Sequence, residues 1–199
     1  MVTDECLLCG KVMQMTPNWR LLFNRYSQVV CKRCEQQFEK TEEHSFEIDV
    51  NFSVKSLFYY NKAMVDFLHR YKFMHDTVLA NVFRQHIYEL LNNTVVVPIP
   101  MHPQKLKERT FSPVELLLKC ADIKYEQLLI KNTTETQSSK TKEERLQTPQ
   151  IFELIQKPEA KSYTIFDDIV TTGMTLKHAK TLLLEHGARD VQCVTLIKA

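Results

Sequence analysis

One stretch of this sequence decides its fold: Tyr163-Thr164-Ile165-Phe166-Asp167-Asp168-Ile169-Val170-Thr171-Thr172-Gly173-Met174-Thr175. Its first four residues are β-branched or aromatic, which is typical of a short buried strand, and we expect the two acids to follow where that strand ends. Hydroxyl side chains around a single glycine then indicate a tight turn. From residue 176 to 185 apolar residues recur at helical spacing. The stretch therefore predicts a strand, a turn and a helix in direct succession.

This succession is suited to binding phosphate, because the first backbone N–H groups of a helix have no partner within it and its N-terminus carries partial positive charge. Gly173 lets the backbone approach an anion without a Cβ in the way. No lysine directly follows that glycine and no second glycine lies nearby, which excludes a P-loop and a dinucleotide fingerprint. Two carboxylates ahead of the turn suit the vicinal hydroxyls of a sugar. The pattern predicts a phosphorylated ribose as the ligand.

Residues 165–175 resemble the phosphoribosyl-pyrophosphate (PRPP) motif of type I phosphoribosyltransferases. The resemblance implies a catalytic role for Asp167 and Asp168, which would hold the ribose 2- and 3-hydroxyls. It also implies Mg²⁺ bound with PRPP, bridging those hydroxyls and the pyrophosphate. The 5-phosphate would be bound by the turn, through Thr171, Thr172, Gly173, Met174 and Thr175. The alternative interpretation is an ordinary strand end and helix cap that bind no ligand.

Length, charge and composition limit the remaining possibilities. The 199 residues suffice for one medium domain and a small module, and a net charge of +2 gives no overall basic field for nucleic acid. No apolar run approaches the roughly 18 residues of a membrane span, and the short acidic N-terminus is unlike a signal peptide. Six cysteines in a chain without an export signal suggest reduced thiols and metal. We expect a cytoplasmic protein with no membrane insertion.

Four of the cysteines form two C-x-x-C pairs, Cys6 with Cys9 and Cys31 with Cys34. Four thiolates at this spacing can surround one ion tetrahedrally, as zinc prefers, and leave no open coordination position. The pairs predict a structural Zn²⁺ site, and free or disulfide-bonded cysteines are the alternative. We expect residues 1–40 to form a zinc-binding module of the zinc-ribbon type and residues 45–199 to form the main domain.

The zinc module also carries basic and aromatic residues that would suit contact with nucleic acid, although a solvated surface is the simpler interpretation. The basic residues are Arg20, Arg25, Lys32 and Arg33, and the aromatic residues are Trp19, Phe23 and Tyr26.

After the module, the pattern indicates alternating strands and helices, which predicts an α/β fold: a mostly parallel sheet with helices on both faces. We expect strands near residues 46–52, 54–60, 94–97, 127–130 and 191–198, and helices over 61–71 and 76–91 and after Ser112-Pro113. Asp76 is a plausible N-cap of the second helix. Lys72 falls between these two helices, where either an exposed position or an anion contact is open to it.

Cations follow the strand at 94–97, where α/β sheets bind their ligands. Lys105 and Arg109 lie four residues apart, so a helix would place them on one face, where they could hold pyrophosphate. Surface charge is the alternative.

The segment Pro98-Ile99-Pro100-Met101-His102, with Lys105 and Arg109 after it, resembles the ComF family of bacterial competence proteins. The family pattern is Pro-x-Pro-Leu-His followed by a basic residue and Arg-Gly-Phe-Asn-Gln, so Met101 replaces a leucine and Thr110 a glycine. The resemblance extends over the whole chain and implies a four-cysteine zinc finger joined to a phosphoribosyltransferase domain. It also implies that His102, Lys105 and Arg109 bind pyrophosphate.

Residues 132–150 are polar and contain neither glycine nor aromatic residues, as expected of a functional lid or a disordered connection. Type I phosphoribosyltransferases resemble this arrangement, since a flexible loop closes over their PRPP. Thr134, Gln137 and Arg145 match the ComF pattern for this loop.

Two functions follow as hypotheses. In the first, the protein transfers phosphoribose from PRPP to an unknown acceptor, recognised by residues 41–75 or by the zinc module. In the second, implied by the family resemblance, it is a non-catalytic adaptor in DNA uptake that binds single-stranded DNA and a helicase-like partner.

Overall fold

The computed structural model describes residues 5–13, 25–41, 45–49, 52–131 and 151–199. Its larger sheet has five strands in the order β1-β2-β7-β6-β3, and β4 pairs with β5 in a separate two-stranded sheet. The strands are β1 (Ser45–Asp49), β2 (Phe52–Tyr59), β3 (Val96–Pro98), β4 (Leu129–Lys131), β5 (Phe152–Leu154), β6 (Ser162–Val170) and β7 (Asp190–Lys198). β1 is antiparallel to its neighbour, and β2, β7, β6 and β3 run parallel. The mostly parallel sheet predicted from the sequence is confirmed.

Parallel neighbours require crossover connections, and helices supply them here. The helices are α1 (Lys32–Glu35), α2 (Lys62–Phe73), α3 (Arg84–Leu91), α4 (Pro103–Arg109), α5 (Pro113–Cys120) and α6 (Met174–Glu185). α5 begins as its sequence predicts, with Pro113 in the first turn and the Ser112 hydroxyl accepting the N–H of Glu115. Among the described helices, none combines the length and the apolar composition that crossing a bilayer requires.

The larger sheet is covered on both faces because successive side chains of a strand point to opposite sides. Phe166 packs into one apolar core with residues of α2, α3 and α5. Ile165 packs into a second core with residues of α6 and of the β4–β5 pair. Both side chains have no exposed surface, so the helices lie on both faces as predicted.

The single helix predicted over residues 76–91 is wrong. A 3-10 helix (Thr77–Asn81) comes first, and α3 starts only at Arg84. Asp76 does not cap either element, because its carboxylate binds the guanidinium of Arg70 at 2.6 Å instead. The side chain that was expected to cap the helix instead forms an ion pair with a residue six positions earlier.

The predicted end of the central strand is also wrong. β6 continues to Val170, and Asp167 lies opposite Thr195 of β7 while Val170 lies opposite Lys198. The acids are therefore within the strand, held in extended backbone by its parallel neighbour. Aspartate is unfavourable in strands, so residue type alone does not reveal this extension.

Candidate functional site

The turn after β6 has the geometry that an anion needs. Gly173 is buried and has a φ of +72°, a left-handed conformation that side chains strongly disfavour. Gly173 is the N-cap residue of α6 and has no side chain to cap it, and the N–H of Met174 donates to the hydroxyl of Thr172 at 3.5 Å. Thr171 and Thr172 are exposed at the same edge of the sheet, and Thr175 is half-buried. Backbone N–H groups of the first helical turn and threonine hydroxyls thus converge at one helix start.

The two acids point to opposite faces of the sheet, because they are consecutive residues of one strand. Asp168 lies on the face covered by α2, where its carboxylate meets the ammonium of Lys72 at 2.5 Å. Both side chains are largely buried, with 14% of Lys72 and 9% of Asp168 exposed. Asp167 is half-buried, and its carboxylate accepts the backbone N–H of Asp168 at 2.8 Å. Asp167 and Asp168 therefore lie in different environments although they are adjacent in sequence.

Burial raises the pKa of Asp167 well above its ordinary value, and the negative charge of Asp168 raises it further. The N–H of Asp168 and the cations Lys72 and Lys131 act in the opposite direction without cancelling the increase. Asp167 is thus a carboxyl group that a neighbouring cation would help to ionise.

The sequence did not show whether Lys72 is exposed or contacts an anion. Lys72 lies in the last turn of α2, a helix that belongs to a different part of the chain from the motif. Lys72 pairs with Asp168 because α2 packs on the sheet at this position. The sequence alone therefore does not reveal that Lys72 is a largely buried cation beside residues 165–175.

The segment expected to bind pyrophosphate emerges next to the acids. β3 is the edge strand beside β6, and the N–H of Ile99 donates to the carbonyl of Phe166 at 2.9 Å. His102 then caps α4, its Nδ1 accepting the N–H of Gln104 at 3.2 Å. Lys105 is exposed, and the guanidinium of Arg109 lies 5.3 Å from the ring centre of Phe73. Lys105 and Arg109 therefore lie on a segment that leaves the sheet at the same edge as residues 171–175, which we call the phosphate turn.

Thr110, which stands where the ComF pattern has a glycine, ends α4 in a left-handed conformation. Its φ is +65°, and its hydroxyl donates to the carbonyl of Arg109 at 2.6 Å. A β-branched residue is strained in this conformation. The end of α4 therefore carries a strained residue where a glycine would be unstrained.

The four cysteines expected to bind zinc come together in space. The sulfurs of Cys6, Cys9, Cys31 and Cys34 all lie within 4.8 Å of one another. The sulfurs of Cys9 and Cys31 are 3.9 Å apart, and zinc–sulfur bonds of about 2.3 Å would place tetrahedral ligands about 3.8 Å apart. The geometry fits a tetrahedral metal ion, so this part of the chain has a metal-binding site.

The surroundings of Cys6 favour its thiolate form. Burial acts to raise its pKa, but backbone N–H groups of Cys31, Cys9 and Leu8 act more strongly in the other direction and lower the pKa to about 6. The N–H of Cys31 lies 3.3 Å from this sulfur. Thiolates are the form that binds metal.

Comparison with known proteins assigns the chain to a family. A family model described as "Phosphoribosyl transferase domain" matches residues 79–199. The chain is 33% identical to "Competence protein ComFC" of Streptococcus pneumoniae, an alignment that covers 98% of this chain and 100% of the relative. It is 30% identical to "Competence protein ComFC" of Bacillus subtilis, over 98% of this chain and 95% of the relative. The chain belongs to the ComFC family.

The ComFC chains therefore resemble this one over both the cysteine cluster and the sheet. Among solved structures, a hypoxanthine phosphoribosyltransferase from Staphylococcus aureus is similar with a TM-score of 0.35 at 17% identity. That superposition covers 61% of this chain and 62% of the other.

Some predicted residues of this ComFC-family chain lie outside the described residues. These are the lid residues Thr134, Gln137 and Arg145, and Trp19, Arg20 and Phe23 of the proposed basic face. Within the described part, Lys131 of β4 lies opposite Phe152 of β5. Arg25 pairs with Asp122 at 3.5 Å and lies over the ring of Tyr88, so part of its surface is used inside the protein. Lys32 and Arg33 are exposed.

We expect Asp167→Asn to stabilise the protein, and to stabilise it more as the pH rises. The folded-state pKa of Asp167 lies above its unfolded value of about 3.9, so between these values the folded state holds more protons and its unfolding free energy falls with rising pH. Asparagine has no proton to lose and escapes this decline. Melting temperatures of both proteins between pH 5 and pH 8 measure the effect.

Asp168→Asn is the matched control and should have the opposite sign. It leaves Lys72 largely buried without an ionic partner, a change that costs about 3 kcal/mol in comparable pairs. An Asp167→Asn variant that melts below wild type by the same margin at pH 5 and pH 8 would contradict the raised pKa.

Proposed function

We propose that this chain binds PRPP with Mg²⁺ at the C-terminal edge of its parallel strands and transfers phosphoribose to an acceptor. One observation carries the proposal: a helix start with a left-handed Gly173 lies at the end of the strand that contains the acidic pair, beside the basic segment that leaves β3. Ligands of α/β sheets bind at this edge.

The phosphate turn would hold the 5-phosphate through backbone N–H groups of residues 173–175 and the hydroxyls of Thr171, Thr172 and Thr175. Asp167 and Asp168 lie on opposite faces of β6, so the ribose would bind across the end of the strand, where each acid would accept a hydrogen bond from a different one of the 2- and 3-hydroxyls. Asp168 is already bound to Lys72, so the sugar would share this carboxylate with the ammonium group. Lys72 would thereby fix the oxygen that accepts the hydroxyl.

His102, Lys105 and Arg109 would hold the pyrophosphate, and their positive charge would favour its departure. The bond between the anomeric carbon and pyrophosphate would break as a nitrogen nucleophile, or water, forms the new bond, pyrophosphate would leave with the electron pair, and the nucleophile would release its proton to pyrophosphate or solvent. The acids would favour the positive charge that develops at the anomeric carbon. Mg²⁺ would supply further charge neutralisation between the ribose hydroxyls and the leaving group.

Millimolar PRPP with Mg²⁺ should raise the melting temperature by roughly 5 to 10 °C, because a ligand at 100 times its Kd stabilises by about 2.7 kcal/mol. Asp167→Ala with Asp168→Ala should abolish the shift. Lys62→Met, an exposed position at the other end of α2, should leave it unchanged. No shift in the wild type would end the proposal. Pyrophosphate release with a panel of bases and amines then distinguishes turnover from binding alone.

We also infer a role in DNA uptake, in the cytoplasm, since both ComFC relatives are named competence proteins and align over nearly their full length. The exposed pair Lys32 and Arg33 supports an adaptor function with single-stranded DNA and a helicase-like partner as the second candidate. Salt-dependent binding of single-stranded DNA that is lost on Lys32→Glu with Arg33→Glu favours this candidate. Binding that both reversals leave intact counts against this surface.

We propose Zn²⁺ as the metal of the four-cysteine site and residues 1–40 as its module, with residues 45–199 as the phosphoribosyltransferase domain. Four sulfur ligands favour zinc and leave no position for a substrate, so the ion would be structural.

A further inference from the structure

Three consecutive residues at the end of α2 are each bound to a different part of the protein. They are Arg70, Tyr71 and Lys72, and successive helical side chains point about 100° apart. One reaches the cysteine cluster, one reaches α5 and one reaches the PRPP motif. This single turn of helix therefore touches both sites of the protein.

Arg70 is bound to the loop that holds the first two cysteines. Its guanidinium donates to the carbonyl of Leu8 at 3.0 Å and to that of Leu7 at 3.1 Å. Leu7 and Leu8 are the two residues between Cys6 and Cys9, so their carbonyls move with the cysteine sulfurs. The ion pair with Asp76 at 2.6 Å fixes the guanidinium from the other side.

The same turn is rigid between its two ends. The N–H groups of Met74 and Asp76 donate to the carbonyl of Arg70 at 3.2 and 3.1 Å. Tyr71 has no exposed surface, and its hydroxyl donates to the carbonyl of Pro113 at 2.8 Å. With these contacts in place, a shift of Arg70 would be passed on to Lys72 two residues later.

We propose that Arg70 and Lys72 are positioning residues through which metal occupancy of the four-cysteine site sets the affinity of the PRPP site. With the metal bound, the carbonyls of Leu7 and Leu8 are held in place, Arg70 holds the end of α2, and Lys72 orients Asp168. This inference rests on the proposed binding of PRPP. Coupling between two binding sites is reciprocal, so PRPP must also retain the metal.

The first experiment measures zinc release from the full chain into a chromogenic chelator, with and without saturating PRPP and Mg²⁺. We expect PRPP to slow release about fivefold or more, a common size for coupling between sites. Lys72→Met should lose the effect and Lys72→Arg, which keeps a cation, should retain it. The same PRPP concentration acting on Lys72→Met controls for chelation by the ligand. Equal release with and without PRPP, in protein that binds PRPP by calorimetry, overturns the coupling.

The second experiment needs no PRPP and separates this inference from the proposed function. Asp168→Asn removes the partner of Lys72 and should accelerate zinc release several-fold, whereas Asp167→Asn, the neighbouring acid on the other face, should not. Equal acceleration by both variants would show general loosening of β6 and overturn the coupling, as would no acceleration by either. Failure of PRPP to bind the wild type would count against the proposed function, whereas the zinc-release rates of these two variants test the connection between the sites without PRPP.

Discussion

Gly173→Ala should lower both the stability of the protein and its affinity for PRPP. A Cβ at this position would lie far inside van der Waals contact with Cδ1 of Ile48 on β1, and the φ of +72° is left-handed. The backbone strain costs about 1 to 2 kcal/mol and the overlap about 1 to 3 kcal/mol more. We expect the unfolding free energy to fall by about 3 kcal/mol, and PRPP affinity by tenfold or more because the new methyl group would displace the backbone proposed to bind the 5-phosphate. Denaturant unfolding and calorimetry measure the two effects.

Gly10→Ala is the matched control for backbone strain. Gly10 has nearly the same φ, +69°, but an added Cβ there meets no atom within 4 Å. It should cost only the conformational part, about 1 kcal/mol. Combining Gly173→Ala with Ile48→Ala should remove the overlap and leave the strain. A Gly173→Ala variant that is no less stable than Gly10→Ala would show that Ile48 does not constrain the phosphate turn.

Cys34→Ser should remove the metal and unfold the segment around it. Cys34 is buried, and serine offers a poor zinc ligand in place of a thiolate. Loss of a structural metal is among the few single changes that cost more than about 4 kcal/mol. The melting temperature should therefore fall by roughly 10 °C or more, and elemental analysis should show the loss of about one zinc ion per chain.

Cys120→Ser is the matched control for loss of a thiol. Cys120 is half-buried on α5 and lies outside the four-cysteine cluster, so its replacement should leave the zinc content unchanged. Retention of stoichiometric zinc by Cys34→Ser would contradict the four-cysteine site.

Loss of the metal should also destabilise the apolar core that contains Phe58 and Phe83. Phe38, four residues after Cys34, packs edge-to-face on Phe83 with ring centres 4.9 Å apart and also contacts Phe58. Lys40 forms a β-bridge with Phe58 of β2. We therefore expect the segment that carries the four cysteines and the five-stranded sheet to unfold in one transition rather than in two.

The sequence alone was sufficient for the features that depend on residues close together in the chain. The strand, turn and helix around Gly173 follow from residues 163–185, and the cysteine spacing predicts the cluster, because two cysteines with two residues between them can bind one ion. The alternation of strands and helices was likewise enough for the parallel sheet, since a crossover helix is required between parallel neighbours. The roles of His102, Lys105 and Arg109 stay predictions.

Tertiary structure alone decided which groups meet. Lys72 pairs with Asp168, and Arg70 binds the carbonyls of Leu7 and Leu8, because α2 packs between the cysteine cluster and the sheet. The extension of β6 past Phe166 depends on backbone hydrogen bonds to β7, and it sends the two acids to opposite faces. Local patterns encode backbone conformation, whereas a buried ion pair is set by the position of elements that are distant in sequence.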